Sequence, residues 1–457
     1  MRMDSRHNPV IYRGRIVNPK VDGSCEEFQN GCLIVGVDGC IADVGPWEDI
    51  KQQLSAAEGW RTVDFGSQLL LPGFIDLHLH FPQFDCRGMY ADSLLTWLKK
   101  HIYPVEARFG DSSLARGTAK RLLHELARCG TTTAVIFSSV HAEATDILFE
   151  EAASSGLRAI IGKVLMDEGE HVPNSLLQNW RLGIEESVAL CRKWHGASDG
   201  RLYYAFSPRF AVTCSEQLMM EAGAAAKSLG AYVQTHVSET LEEVSLIRRR
   251  FPHRRNYVDV YDSAGLLGEK TILAHAIHFE DGEYKIVAQS GAKVAYCPSS
   301  NFFLKSGTMN LKKMRQNGIT VGLGSDIGAA PSVSLLSVMR DGIYMQPKWA
   351  QPQEMLAMAT IRGAAALGLD HRIGSLERGK DADFIVVDPS TLSGRWREIE
   401  GDLNDVLSLT IFRGGEQVVT RVFVKGQEVY RGELKHASTV GVCNDVPSLV
   451  RGILPSS

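Results

Sequence analysis

Eight short apolar runs, separated by helix-like stretches, constrain this chain more than any other feature. They lie at 72–80, 131–137, 158–165, 202–206, 231–236, 271–275, 292–297 and 320–326. Near-continuous apolar runs that alternate with helices mark strands buried on both faces of a parallel sheet. The intervening stretches carry helix punctuation. Leu122, Leu123 and Leu126 recur at helical spacing before a stop at Gly130, and Ser215 opens a helix that Gly230 closes. Eight such units over roughly 250 residues fit a closed (β/α)8 barrel. A doubly wound open sheet is the alternative, but the Gly-rich dinucleotide loop that often marks it is absent.

Shorter β runs flank this core. Those at 10–12, 32–35 and 41–44 precede it, with a turn at 36–39, and those at 382–388 and 418–424 follow it, with Lys425-Gly426 as a turn. Neither group is large enough to form a domain alone. The economical arrangement is one small β-sandwich domain built from both chain ends. The fold class is therefore α/β, with sandwich strands over 1–70, the barrel over 71–371, the second sandwich portion over 372–438, and a loosely held tail over 439–457.

Bulk properties narrow the function classes. The chain has 457 residues, 44% hydrophobic and 22% charged, which is ordinary for a soluble globular protein. A net charge of −4 argues against a nucleic-acid surface. No apolar run is long enough to span a bilayer, and the polar start Met1 to His7 does not resemble a signal peptide. The nine cysteines are scattered and form no C-x-x-C pair, so reduced thiols in a cytoplasmic protein are expected.

The chemistry-bearing residues sit at strand ends. In the run Ile75-Asp76-Leu77-His78-Leu79-His80 the polar residues share one face, because strand side chains alternate with period two. Two imidazoles converging at the end of an apolar strand suit one divalent metal, which needs further ligands from elsewhere. His236 closes the fifth run, His275 the sixth and Asp326 the eighth. Barrel chemistry collects at the C-terminal ends of the strands. Each residue taken singly reads as a hydrogen-bonded structural group; five at the ends of one barrel read as a site. His78, His80, His236 and Asp326 supply nitrogen and oxygen ligands of the kind Zn²⁺ accepts, with Fe²⁺ and Mn²⁺ as alternatives. Such a metal lowers the pKa of its water from 15.7 towards about 7. Asp326 is placed to take that water's proton and His275 to orient it. Glu239, three residues beyond His236, is a candidate proton shuttle or, more plainly, a helix N-terminal carboxylate. No lysine lies on the fourth strand, and Lys163 is mid-strand on the third, so a single metal is expected.

With these residues in place, the chain resembles the amidohydrolase superfamily and, within it, the guanine deaminases. The broad resemblance rests on His78-Leu79-His80, His236, His275, Gly324-Ser325-Asp326 and the late stretch Gly374 to Asp383. The narrower one rests on Phe81-Pro82-Gln83-Phe84, Trp97-Leu98, Tyr103 to Phe109, Gly162 to Asp167, Ser207-Pro208-Arg209-Phe210, Thr235 to Glu239, Asp259-Val260-Tyr261 and Cys297 to Asn301. The resemblance implies a zinc-dependent deamination of guanine to xanthine by a homodimer. It makes Glu239 the proton shuttle and His275 the support for the water. It also gives Gln83 and Arg209 the purine's polar edges and sets Phe210 against its ring. The departures are Thr240 where Asn is common, Glu168-Gly169 after Met166-Asp167, and Pro331 in the loop after Asp326. These border the pocket and bear on which base is bound. A deaminase of another amino-heterocycle (a modified guanine, a pterin or a triazine) is the alternative. A catalytically dead scaffold is a third reading, disfavoured because every ligand is retained.

Overall fold

Both chain ends contribute to one sheet. The computed structural model describes residues 9–53, 60–170, 172–346, 348, 350–392 and 402–432. At the N-terminal end, β1 (Val10–Pro19) pairs antiparallel with β2 (Cys25–Val35), which turns into β3 (Ile41–Pro46). β4 (Arg61–Pro72) lies parallel to β1 and carries the chain towards the barrel.

The expected barrel follows. Its strands are β5 (Phe74–His80), β6 (Thr131–Phe137), β7 (Arg158–Gly162), β8 (Val164–Leu165), β9 (Leu202–Pro208), β10 (Tyr232–Val237), β11 (Thr271–His275), β12 (Lys293–Tyr296) and β13 (Val321–Leu323). All pair in parallel, in chain order from β5 to β13 with β8 set against β9. The run 158–165 is two strands because it breaks at Lys163, whose buried Nζ turns to Gln178 and Glu186. The helix expected between Ser215 and Gly230 is there: Ser215 accepts from the Leu218 N–H, and Gly230 ends the helix in the left-handed conformation.

Side chains and single backbone contacts draw β5 and β13 together. The Asp326 N–H donates to the His78 carbonyl at 2.8 Å, and the Ser325 N–H donates to Asp76 Oδ1 at 2.9 Å. Two glycines permit this approach. A Cβ on Gly322 would lie 2.5 Å from Leu77 Cδ1, and one on Gly324 would lie 2.8 Å from His78 Cβ.

At the C-terminal end, β14 (Phe384–Val387), β15 (Val419–Val424) and β16 (Gln427–Arg431) complete the sheet in the order β16-β15-β14-β4-β1-β2-β3. Tyr12 sets its ring edge-on to Phe384 and Phe423, so residues from opposite ends of the chain share one core. A buried ion cluster ties this sheet to the barrel. Arg158 on β7 donates to Asp381 at 2.8 Å and Asp383 at 3.2 Å, and Arg372 donates to Asp381 at 2.7 Å. The tail 439–457 lies outside the described residues.

Candidate active site

The polar strand ends meet. His78 and His80 project from the same face of β5, as the alternation requires. His80 Nε2 lies 3.0 Å from His236 Nε2 at the end of β10. Asp326 Oδ1, just beyond β13, lies 3.3 Å from His78 Nε2 and 3.5 Å from His80 Nε2. Within each of two triples, His78–His80–Asp326 and His78–His236–His275, the ligand atoms all fall within 4.8 Å of one another. All five residues are buried.

This donor set fits a divalent cation. The His236 Nδ1 proton goes to the Arg209 carbonyl at 2.7 Å, so its Nε2 presents a lone pair to the cluster. His78 Nε2 is buried with no hydrogen-bond partner among the described residues, the mark of an atom waiting for a ligand. Burial, and then the neighbouring His78, keep His80 and His236 far below the usual imidazole range, so both are neutral as ligation demands. Burial opposes the charge on Asp326, yet the surrounding imidazoles, His78 foremost, hold its carboxyl well below the usual carboxylate range.

His275 differs from the other three. Its Nδ1 lies 2.9 Å from the Asn301 amide nitrogen, which can only donate. The imidazole proton then sits on Nε2, which faces Glu239 Oε2 at 3.4 Å and Asp326 Oδ2 at 3.9 Å. Burial lowers the His275 pKa to about 3, so it is a neutral donor. Both His275 (φ 75°) and Asp326 (φ 50°) are held in left-handed backbone, as is Ser238 (φ 49°) between His236 and Glu239. Non-glycine residues adopt this conformation at a cost, and three of them at one site indicate that the fold over-determines their placement.

Glu239 is not a helix N-terminal residue. The helix Leu241–Arg250 is capped by Thr240, which forms a reciprocal pair with Glu243. Glu239 precedes the cap, and its own N–H donates to Glu243 at 2.8 Å. Its side chain turns inward, where Ser306 donates to it at 3.1 Å. Burial first, then the charges of Asp326 and Glu243, push its carboxyl well above the usual range, so it carries a proton.

A cavity adjoins the cluster. Gln83, Arg209, Phe210, Trp97 and Leu304 line it together with Glu239 and Asp326. The Phe210 ring stands 6.3 Å from the His236 ring. Arg209 Nη1 donates to Glu106 Oε2 at 2.6 Å, and Gln83 Nε2 donates to Glu106 Oε1 at 3.0 Å. The site residues expected from the sequence border this space, except His78, which meets it only through Asp326 and the neighbouring imidazoles.

Known proteins share this framework. The amidohydrolase family model matches residues 69–429. The guanine deaminase of Escherichia coli is 34% identical over 94% of this chain and 99% of its own length. The human guanine deaminase is 30% identical over 92% of this chain and 96% of its own. The chain belongs to the amidohydrolase family. Among solved amidohydrolases, the E. coli guanine deaminase superposes with a TM-score of 0.88 at 33% identity, covering 93% of this chain and 100% of that one. The Clostridium acetobutylicum enzyme, described as C. acetobutylicum guanine deaminase with guanine bound in its active site, gives 0.85 at 30% identity over 93% and 100%.

Three residues of this amidohydrolase site have no separate role in the sequence reading. Glu106 follows Tyr103-Pro104-Val105, and only the fold shows that it is buried there. Asn301 and Ser306 follow β12 and reach the site only through the fold. Lys163 is not part of it: its ammonium is engaged by Gln178 and Glu186.

Proposed function

We propose that this amidohydrolase catalyses the hydrolytic deamination of guanine to xanthine and ammonia, with one zinc ion held by His78, His80, His236 and Asp326. The observation that carries this reading is the pair of triples sharing His78, linked by the 3.0 Å approach of His80 to His236, beside a cavity bordered by Gln83, Arg209 and Phe210. Guanine deaminases from E. coli to human, aligned over nearly their whole length, support the substrate. So does the guanine-bound Clostridium relative.

Zinc in this cluster supplies an activated water at neutral pH. The protein's own groups do the rest. Arg209 and Gln83 hold the base by its polar edge, with Phe210 against the ring. The His275 Nε2–H orients the water, and Asp326 accepts the proton that the water gives up. Glu239 carries a proton and delivers it to the ring nitrogen beside C2 as the new C–O bond forms. The amino nitrogen leaves C2 as ammonia after taking the proton held by Asp326, and the C2 hydroxyl gives its proton back to Glu239 as the carbonyl forms. Water and guanine are consumed, and xanthine and ammonia are produced.

The chain acts on a free purine base, with no nucleic-acid or membrane partner. No helix among the described residues is long and apolar enough to cross a membrane, and the eight described cysteines are all unpaired. Unpaired thiols fit a reducing, cytoplasmic setting, and the homodimer is carried by the resemblance to guanine deaminases alone. Ammonia release from a panel of guanine, adenine, a pterin and a triazine tests the assignment. Guanine should dominate; no turnover of guanine by the metal-loaded protein would overturn it.

A further inference from the structure

Glu106 bridges the two residues that meet the base. Its carboxylate is buried, and each of its oxygens serves one of them: Oε1 takes the Gln83 amide at 3.0 Å and Oε2 takes Arg209 at 2.6 Å. A carboxylate only accepts hydrogen bonds, so the Gln83 side chain must turn its NH₂ to Glu106. Its Oε1 is then left for the cavity. Gly328, in left-handed backbone (φ 124°), leaves room for that oxygen, since a Cβ there would lie 2.3 Å from it. Arg209 lines the same cavity and offers only donors. The Tyr103 ring lies 5.5 Å from its guanidinium and helps to fix the plane of the group.

We infer that Glu106 is a positioning residue that sets the hydrogen-bond polarity of the purine pocket and thereby selects a lactam edge. This deepens the proposed function and rests on it. An acceptor beside a cationic donor matches an N–H next to a carbonyl, which guanine presents at N1 and O6. A 2,6-diaminopurine has the same C2 amino group but the opposite edge, with a bare N1 and an amino group at C6. It would set a lone pair against Gln83 Oε1 and an amino group against Arg209. Buried polar groups left without partners discriminate strongly between such analogues.

Glu106→Gln reverses this polarity by necessity. Arg209 can only donate, so it claims the new amide's oxygen. The new NH₂ then faces Gln83, which must turn its oxygen away from the cavity and present its NH₂ to the base. The experiment measures kcat/KM for guanine and the inhibition constant of 2,6-diaminopurine in wild type and Glu106→Gln. Guanine kcat/KM should fall about 10²-fold while 2,6-diaminopurine binds about tenfold more tightly. Equal weakening of both bases would show that Glu106 only supports the fold, and would overturn the inference. If Glu106→Gln does not fold, Gln83→Met keeps the Glu106–Arg209 pair and should lower discrimination between the two bases about tenfold; unchanged discrimination would count against the inference. Failure of the metal-loaded wild type to turn over guanine would instead strike the proposed function itself.

Discussion

Glu239 shows how one residue's role follows from where its neighbours put it. Thr240 takes the helix cap, which releases Glu239 from the helix end and leaves its carboxyl buried beside His275 and Asp326. Burial makes it a proton carrier. Glu239→Gln should keep the metal and lose roughly 10²- to 10⁴-fold in kcat, the usual worth of a positioned acid or base. Full activity in that variant, measured as ammonia release, would remove its role. Lys163 gives a residue-scale prediction about stability. Burial lowers its pKa from 10.5 to about 8. Below pH 8 the ammonium is charged in both states and the folded state bears the whole cost. Between about pH 8 and 10.5 the unfolded chain binds more protons, so this residue's contribution to stability rises with pH. The stability of the Lys163→Met variant minus that of wild type should therefore be most positive at pH 7. That difference should shrink by about 3 kcal/mol by pH 10.5. Urea unfolding at the two pH values checks it, and a pH-independent difference would contradict it.

At the scale of elements, the seam between β5 and β13 decides whether the ligands meet. Asp76 accepts from the backbone N–H groups of His78 and Ser325, and so locks the two strand ends that carry three of the four proposed ligands. A Cβ at Gly324 would lie 2.8 Å from His78 Cβ and 3.0 Å from Cys297 Sγ, neither of which has room to yield. Gly324→Ala should cost about 1–3 kcal/mol through overpacking, and should weaken metal affinity more than the conservative change alone would suggest. Calorimetric unfolding paired with metal titration separates the two effects; unchanged metal affinity would mean that the seam does not position His78. The strands themselves were legible in the sequence because parallel strands buried on both faces leave nearly unbroken apolar runs. The break at Lys163 was not legible, because a lysine flanked by Gly162 and Val164 carries no mark of a side chain turning out to Gln178 and Glu186. The proposed ligands were legible because each closes an apolar run. Glu106, Asn301 and Ser306 were not, because their function comes from partners distant in sequence.

Across the whole molecule, the sheet built from both chain ends is fastened to the barrel by Arg158, Arg372, Asp381 and Asp383. Arg158 is fully buried, and its removal takes the guanidinium from Asp383 while Asp381 keeps Arg372, a change worth about 3–5 kcal/mol of stability. Arg158→Met should lower the unfolding midpoint while the folded fraction keeps its kcat, because the cluster lies away from the site residues; a parallel loss of kcat would show that the sheet domain shapes the site. The central claim concerns the gathering of four distant side chains around one cation. Its most direct test is a titration of metal-free protein with Zn²⁺, following guanine deamination and bound metal together. Activity should rise from near zero and saturate at one equivalent per chain, and His80→Ala should abolish that rise. Full activity without metal, or saturation only at two equivalents, would contradict it.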